Sequence, residues 1–540
     1  MPAVVTDQFR IANAGNFVDS VLDSSNSYYV FLGLPNPNVA GFGRTDTWNT
    51  NTPSPIDNLQ YLSHYRNTSL FGRKINSANL RRVVKKHTWA ANQSYDMYRH
   101  DYRPVDNEAP TSKSGNLYKT NYYVITSEFK VYICLDNGSF GEPGTANAKA
   151  FESLDEPSFT DLEPAAAGTQ DPYVWKYLFT VSPSDVIKFD SIEYIVLPND
   201  WSTSTDPQVQ AVREAGDSDI NSNQIKTVYI RNQGNNYSDG SYSCNILGDG
   251  TGARALVTVD GDVITNVVVT AGGSGYTFGM VDLSDVSFNG SESDRANLIP
   301  IIPPSKGHGF DIYTELGADK VLVYSRFDDS TKDFPTDTHF GQVGIIKNPE
   351  QPSSGILTTS QFSSLSSIKL NSAITLSGGI TFDELVGLGI TQKSSSSDLV
   401  ASGTIASYDQ DTFVLKYIQD RSLNLNQSTI DTTDYANMDA TASQLSFESS
   451  GESIDCRLSG TLIFTSTVDQ NFTGITTTVG NKNVNLGVEF KNGLADPEIN
   501  KKTGDIIYID NRKEVTRYVR QKEDVKIILE FYKKWHKKLI

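Results

Sequence analysis

The segment that most constrains the fold of this chain is DPYVWKYLF, at residues 171–179. In an extended strand, alternate side chains share one face of the sheet. The aromatic members of the segment therefore form a single stripe, which is Tyr173, Trp175, Tyr177 and Phe179. We interpret these four residues as anchors of a β core. Because aromatic residues are enriched in strands of every kind, an ordinary strand in an unrelated β protein is the alternative interpretation.

Further apolar or aromatic segments stand in a fixed order around this stripe. They are residues 5–10, 16–20 and 28–33, then 131–136, 193–198, 334–335 with 340–349, 503–512 and 525–531. In sequence and in order they resemble the baseplate wedge subunit of T4-like contractile-tailed phages, the gene-product-eight type. The resemblance covers about residues 1–200, 305–350 and 490–531, a little over half of the chain.

The resemblance implies a structural protein that has no catalytic residue, cofactor, metal or small-molecule substrate. It implies a β-sandwich core with helix-bearing loops, a homodimer within each wedge, and contacts with other baseplate wedge proteins. The location that it implies is the tail baseplate of the virion, after assembly in the host cytoplasm. Such a subunit supports baseplate assembly and allows the wedge to rearrange when the tail contracts.

The length of 540 residues predicts several domains, because single hydrophobic cores seldom grow beyond about 250–300 residues. Residues 220–300 and 356–488 have no counterpart in the family pattern. We therefore expect a mainly β chain in which one discontinuous core carries two small inserted β domains. The core blocks are 1–215, 303–355 and 489–540, and the insertions are a β-repeat domain at 220–300 and a Ser/Thr-rich domain at 356–488.

The first insertion contains an internal repeat. The segment from Ile225 to Ile230, followed by 234–238, is echoed by the segment from Ile264 to Val269, followed by 273–277, at a constant offset of 39 residues. Between the two copies, Asp260-Gly261 stands among alternating apolar residues, which is a strong signal for a β-hairpin. The two copies predict a small β domain that pairs its own strands.

Composition excludes several classes of protein. A net charge of −18 and a pI near 4.8 argue against nucleic-acid binding, since phosphate contacts need clustered Lys and Arg. No apolar run is long enough to span a membrane, and residues 1–7 lack the pattern of a secretory signal. The cysteines are more than 100 positions apart, which predicts neither a metal site nor a disulfide framework, and they are Cys134, Cys244 and Cys456.

The residues that could perform chemistry form no catalytic pattern. The six histidines show neither HExxH nor HxH spacing, and the chain has no Gly-x-Ser-x-Gly elbow. The glycine-rich loop at 248–252 leads into a predicted strand, whereas a phosphate site requires a helix there.

A second hypothesis stays open, in which the insertions bind or degrade host-surface glycans. It requires exposed aromatic rings and a matched pair of carboxylates in 220–300 or 356–488.

Two terminal segments complete the predictions. A helix is expected from Asp7 to Leu22, with Phe9, Ala12, Phe17 and Val21 on its apolar side. The C-terminal tail is basic on an acidic chain, and it is either a frayed solvated end or a docking peptide for an acidic neighbour. In the docking interpretation, Trp535 and Leu539 share a helical face, and the candidate docking residues are Lys533, Lys534, Trp535, Lys537, Lys538 and Leu539.

Overall fold

A computed structural model describes most of the chain. The described residues are 4–34, 48–142, 151–217, 223–328, 339–353, 355–386, 388–393, 399–419, 453–458, 461–517 and 521–531. Over these residues the protein is mainly β and its strands pair antiparallel, which confirms the predicted fold class.

Short helices are interspersed among many strands along the described chain. The helices are α1 (Asp7–Leu22), α2 (Leu59–Asn67), α3 (Pro183–Phe189), α4 (Pro207–Asp217) and α5 (Ile312–Glu315). The strands up to the end of the first predicted insertion are β1 (Tyr28–Gly33), β2 (Ser69–Lys74), β3 (Leu80–Lys85), β4 (Tyr123–Ile125), β5 (Lys130–Asp136), β6 (Ala165–Ala166), β7 (Val174–Thr180), β8 (Tyr194–Val196), β9 (Val228–Asn232), β10 (Gly240–Gly248), β11 (Thr251–Asp260), β12 (Val263–Ser274), β13 (Gly279–Val281) and β14 (Asn297–Pro300). The remaining strands are β15 (Lys320–Phe327), β16 (His339–Lys347), β17 (Gln361–Ser363), β18 (Ser366–Lys369), β19 (Gly389–Lys393), β20 (Leu399–Asp409), β21 (Val414–Ile418), β22 (Ser453–Leu458), β23 (Thr461–Thr467), β24 (Gly474–Val479), β25 (Lys482–Phe490), β26 (Leu494–Ala495), β27 (Asp505–Thr516) and β28 (Glu523–Glu530).

The chain divides into two compact units. Among the described residues, the first unit comprises the chain up to Val18, Leu80–Leu322 and the end from Ile527, and the second comprises Asp19–Asn79 and Val323–Lys526. These units do not follow the expected core blocks, because block 1–215 contributes residues to both. The single discontinuous core that we expected stays a prediction.

In the first unit, the aromatic segment lies in a four-stranded sheet with the order β4-β5-β7-β6. Strand β7 pairs with β5, so that Trp175 is opposite Cys134 and Tyr177 is opposite Tyr132. Strand β3, in the same unit, pairs with β8. A basic residue of β3 is neutralised inside the unit, because Arg81 forms an ion pair with Asp185 at 2.8 Å.

The repeat of the first insertion forms a pseudo-twofold arrangement. The Ile225 N–H donates to the Gly272 carbonyl at 3.0 Å, and the Ile264 N–H donates to the Gln233 carbonyl at 3.1 Å. Ile264 and Gly272 are the equivalents, 39 residues later, of Ile225 and Gln233. The two hydrogen bonds are therefore equivalent, and the two copies run antiparallel to each other. The expected hairpin is also present: β11 and β12 pair so that Asp260 is opposite Val263, and the turn residues Gly261 and Asp262 both have positive φ, 65° and 66°.

The buried cluster of this insertion is drawn from its own residues. The core members lie between Ile225 and Ile302, and Phe140 is the partly buried residue that packs against it from outside that range. The two ends of the insertion are adjacent, since the Ile301 N–H donates to the Thr227 carbonyl at 2.9 Å.

In the second unit, five strands have the order β17-β2-β1-β16-β27, and seven have the order β23-β22-β19-β20-β21-β18-β26. The expected second insertion, at 356–488, stays a prediction, and a contact between two segments of the chain lies near its ends. Strand β17 pairs with β2, and Ser363 and Glu498 exchange hydrogen bonds, with the Glu498 N–H donating to the Ser363 carbonyl at 2.9 Å. Residues 364–497 are therefore the part enclosed by that contact.

Helix α1 has the predicted bounds, and Val21 is buried as expected, but the first half of the helix buries a different face. The residues that we expected on its apolar side include Phe9, which is 57% exposed, and Ala12, which is also exposed. The buried side chains of α1 recur at helical spacing, at Ile11, Ala14, Val18 and Val21. The apolar pattern in the sequence fits both faces, and only tertiary packing decides between them.

We predict that the chain keeps a folded remainder when residues 220–300 are replaced by a short Gly/Ser linker. The reason is that the insertion buries its own apolar residues and its ends are already adjacent. Circular dichroism and urea unfolding should show a single cooperative transition for each remaining unit. An insoluble or molten product would show that the insertion shares its core with the rest of the first unit.

Candidate functional site

The four predicted core anchors are buried in the first unit. Tyr173 and Trp175 are fully buried, Tyr177 is 3% exposed and Phe179 is 2% exposed. The rings of Tyr173 and Trp175 stack at 5.4 Å, and the ring of Tyr95 meets both of them edge-on. Such edge-to-face contacts add stability beyond the area that they bury.

The other face of β7 is buried as well. Leu178 is fully buried and Lys176 is 4% exposed, with its Nζ donating to the Leu162 carbonyl at 2.7 Å. Burial disfavours the ammonium form and lowers the pKa of Lys176. A strand that is covered on both faces is a structural element and presents no ring to a ligand.

Asp171, at the start of the aromatic segment, organises the loop beside it. Its Oδ2 accepts bonds from the Ser153 hydroxyl and from the Leu154 and Asp155 N–H groups, and its Oδ1 accepts from the Tyr173 N–H at 3.0 Å. The Tyr173 hydroxyl donates to the Phe151 carbonyl at 2.7 Å. The segment therefore fixes both the core and the adjoining loop.

Arg99 fastens the first insertion to the rest of the first unit. The residue is 1% exposed, and its guanidinium donates to both carboxylate oxygens of Asp101, at 2.9 and 2.7 Å. It also lies over the Tyr229 ring at 3.9 Å from the centroid, and the Tyr229 hydroxyl donates to the Gly141 carbonyl at 2.7 Å. A buried cation is tolerated at this position because a carboxylate and an aromatic face compensate its lost hydration.

A second buried polar pair holds the turn at residues 307–310. The Nδ1 of His308 lies 2.6 Å from Oε1 of Glu315, and Oε2 of Glu315 accepts the Gly309 N–H at 2.7 Å. The Trp201 indole donates to the carbonyls of Gly309 and Phe310. All of these contacts stabilise the turn, so the pair formed by His308 and Glu315 has a structural role.

Sequence reasoning missed Arg99, His308 and Glu315 as buried residues. The Tyr229 ring is 130 residues from Arg99, and Glu315 is reached from His308 across a glycine-rich turn. Neither of these two contacts is signalled by local spacing.

The second unit contains a cavity of about 400 Å³ with a mixed polar and apolar lining. Its lining includes Asn67, Ser366, Gln419, Asp496, Asn500 and Lys501, and Asp496 is the carboxylate among the lining residues. No aromatic ring lines it within the described residues. The cavity therefore provides neither the stacking surface nor the carboxylate pair that the glycan hypothesis requires.

Other kinds of site are likewise missing from the part of the chain that the structure describes. No group of three or more His, Cys, Asp or Glu residues is arranged to hold a metal ion there. None of the helices in the same residues is long and apolar enough to cross a lipid bilayer. The loop at 248–252 is the turn of the hairpin formed by β10 and β11 and leads into no helix.

The candidate docking residues of the tail, Lys533, Lys534, Trp535, Lys537, Lys538 and Leu539, lie outside the described residues. Their role stays a prediction.

Comparison with known proteins identifies no relative: no family model and no curated protein matches this chain.

We predict that Trp175→Ala lowers the free energy of unfolding by about 3–5 kcal/mol, because truncating a buried Trp leaves a cavity. The matched control is Phe9→Ala, which removes a ring that is 57% exposed and should cost less than about 1 kcal/mol. Both values come from urea unfolding followed by fluorescence and circular dichroism. Equal stabilities for the two variants would contradict the role of Trp175 as a core anchor.

A second prediction concerns His87, whose ring packs edge-on against Tyr123 at 5.2 Å. Burial, aided by the charge of Lys85, lowers the pKa of His87 from 6.5 to about 4. The unfolded chain therefore binds a proton between pH 6.5 and 4 that the folded chain does not, and stability falls as the pH drops through this window. Because a pKa difference of one corresponds to about 1.4 kcal/mol, the loss of stability is at most about 3.5 kcal/mol.

The variant His87→Gln cannot take up this proton. Its stability should decline less than that of the unchanged protein between pH 7 and pH 4.5, as measured by urea unfolding at fixed pH values. Parallel pH profiles for the two proteins would rule out His87 as a source of acid sensitivity.

Proposed function

We propose that this protein is a structural subunit of the baseplate wedge in a contractile phage tail, and that it acts as a homodimer that binds neighbouring wedge proteins. It performs no catalysis. It holds the wedge in one arrangement during assembly and permits another when the tail contracts, a task that suits interfaces with two stable packings.

The observation that best supports this proposal is where the family-like segments lie. Segments far apart in the sequence are direct neighbours in the sheets: β1 pairs with β16, and β16 pairs with β27. In the first unit, β5 pairs with β7 in the same way. The sequence resemblance therefore covers strands that build the two units, as expected if the resemblance reflects a shared core.

The nature of the described polar residues gives secondary support. The most deeply buried ionisable groups, such as Arg99 and Glu315, are paired within the chain and serve packing or turns. Catalytic acids and bases usually lie in a cleft where a substrate can reach them. Groups committed to internal structure favour a scaffold over an enzyme.

The test is a density map of the intact tail of the virus that encodes this chain. We expect paired copies at an internal wedge position, in contact with other wedge proteins. Copies at the periphery, with the insertions facing outward, would instead support glycan binding. Particles purified without the protein should lack assembled baseplates.

The basic C-terminal segment of the chain provides a further prediction of this function. Removing residues 533–540 should leave the folded protein unchanged but weaken its association with the other wedge proteins. The deficit should be largest at low ionic strength and shrink as salt is added, because screening weakens the attraction that the tail provides. Co-purification of the wedge at low and high salt measures this. Normal assembly of the truncated protein at every salt concentration would show that the tail is only a solvated end.

A further inference from the structure

One face of the sheet β12-β11-β10-β13 in the first insertion is open. Alternate residues such as Cys244, Ile246 and Val257 point into the core and are buried. The opposite face carries five large apolar side chains that are at least 36% exposed, and they are Leu247, Leu256, Val268, Phe278 and Met280. Exposed apolar side chains gathered on one surface mark a contact with another protein.

Charges of opposite sign lie on the two sides of Asn245 in one row across this face. Asn245 on β10 is paired with Arg254 on β11. On its other side, the Asp282 N–H donates to the Asn245 carbonyl at 2.8 Å, which places Asp282 beside it. Arg254 and Asp282 are thus two strand spacings apart, about 10 Å, with Asn245 between them.

In the next row, Leu247 has a large side chain on one side and a glycine on the other. Leu247 on β10 is paired with Met280, which is 62% exposed. Continuing the pairing of β10 with β11 by two residues places Gly252, at φ 82°, on the other side of Leu247. This row therefore has a hollow at Gly252, which carries no side chain, and a protruding side chain at Met280.

We propose that two copies of this chain pack against each other through this face, about a twofold axis that runs along β10. The axis reverses the order of the strands, so β11 of one copy faces the β13 edge of the other. Arg254 then meets Asp282 of the second copy, Met280 enters the hollow at Gly252 of the second copy, and the two Leu247 side chains touch on the axis. This inference rests on the proposed homodimer and assigns it a contact surface in the first insertion, outside the family-like segments.

A second copy fits this face better than an unrelated protein does. A twofold contact must be complementary to itself, and both rows have that property because the residues on β11 complement those on the β13 side of β10. The chain as a whole carries a charge of −18, so two copies repel unless the contact is locally balanced. The row at Asn245 provides that balance, with one positive and one negative group.

The test uses the full chain and charge reversal. Arg254→Asp and Asp282→Arg each place like charges together twice in the dimer, and each should weaken dimerisation at least tenfold by sedimentation velocity across a concentration series. The double variant Arg254→Asp with Asp282→Arg restores opposite charges and should recover the dimer. Asp285→Arg is the matched control, because it makes the same charge change three residues from Asp282 at an exposed position.

An apolar variant tests the axis itself. Leu247→Asp should abolish the dimer, whereas Leu59→Asp, which changes a leucine that is 85% exposed in α2, should not. Thermal unfolding of each variant separates loss of the contact from loss of the fold.

The outcomes distinguish this inference from the proposal on which it rests. A dimer that tolerates both single charge reversals and Leu247→Asp would overturn the assigned surface and leave the homodimer standing. An unchanged protein that stays monomeric at every concentration would overturn the homodimer and this surface together. Weakening by the single variants with recovery in the double variant would support both.

Discussion

Strand β16 is the element on which the second unit depends, because it bonds on both edges to strands from opposite ends of the sequence. Its partners are β1 and β27, and its seven central residues are buried. Gly344 lies at the middle of β16, where an added Cβ would collide with the Phe31 ring. Closing loops of well over a hundred residues costs entropy before any contact is gained, so this sheet forms only when all three strands meet.

Local signals predicted local structure well. The bounds of α1, the hairpin after Asp260 and the 39-residue repeat all depend on residues that are close in sequence, and all three are present. The apolar side of α1 was predicted correctly at Val21 and wrongly at Phe9 and Ala12, because its burial is decided by packing partners elsewhere in the chain. The contact between Ser363 and Glu498 was not predicted for the same reason, since the two residues are 135 positions apart and no local signal marks their contact.

Buried charged groups in the first unit are a feature that local sequence signals do not predict. Arg99, Lys176 and Glu315 each lose hydration on folding, and each regains part of it from a carboxylate, a carbonyl or a backbone N–H. Apolar residues of similar volume would often be as stable at such positions. The advantage of the polar residues is geometric, because a buried charge accepts only the arrangement in which its partner is in place. Arg99 thereby fixes how Tyr229, and with it the first insertion, sits on the residues around Gly141.

The repeat explains why the first insertion can leave one sheet face open. Its two copies bond to each other through Ile225 and Ile264, and nearly all members of its buried cluster belong to the insertion itself. An exposed face then costs the insertion no strand pairing, and the side chains on that face are free to suit a partner. The aromatic strand β7 of the first unit differs from this open sheet face, because both faces of β7 are buried. Any substitution in β7 therefore disturbs the core. New contacts between copies can therefore arise on the insertion with little effect on folding, whereas β7 is restricted to its structural role.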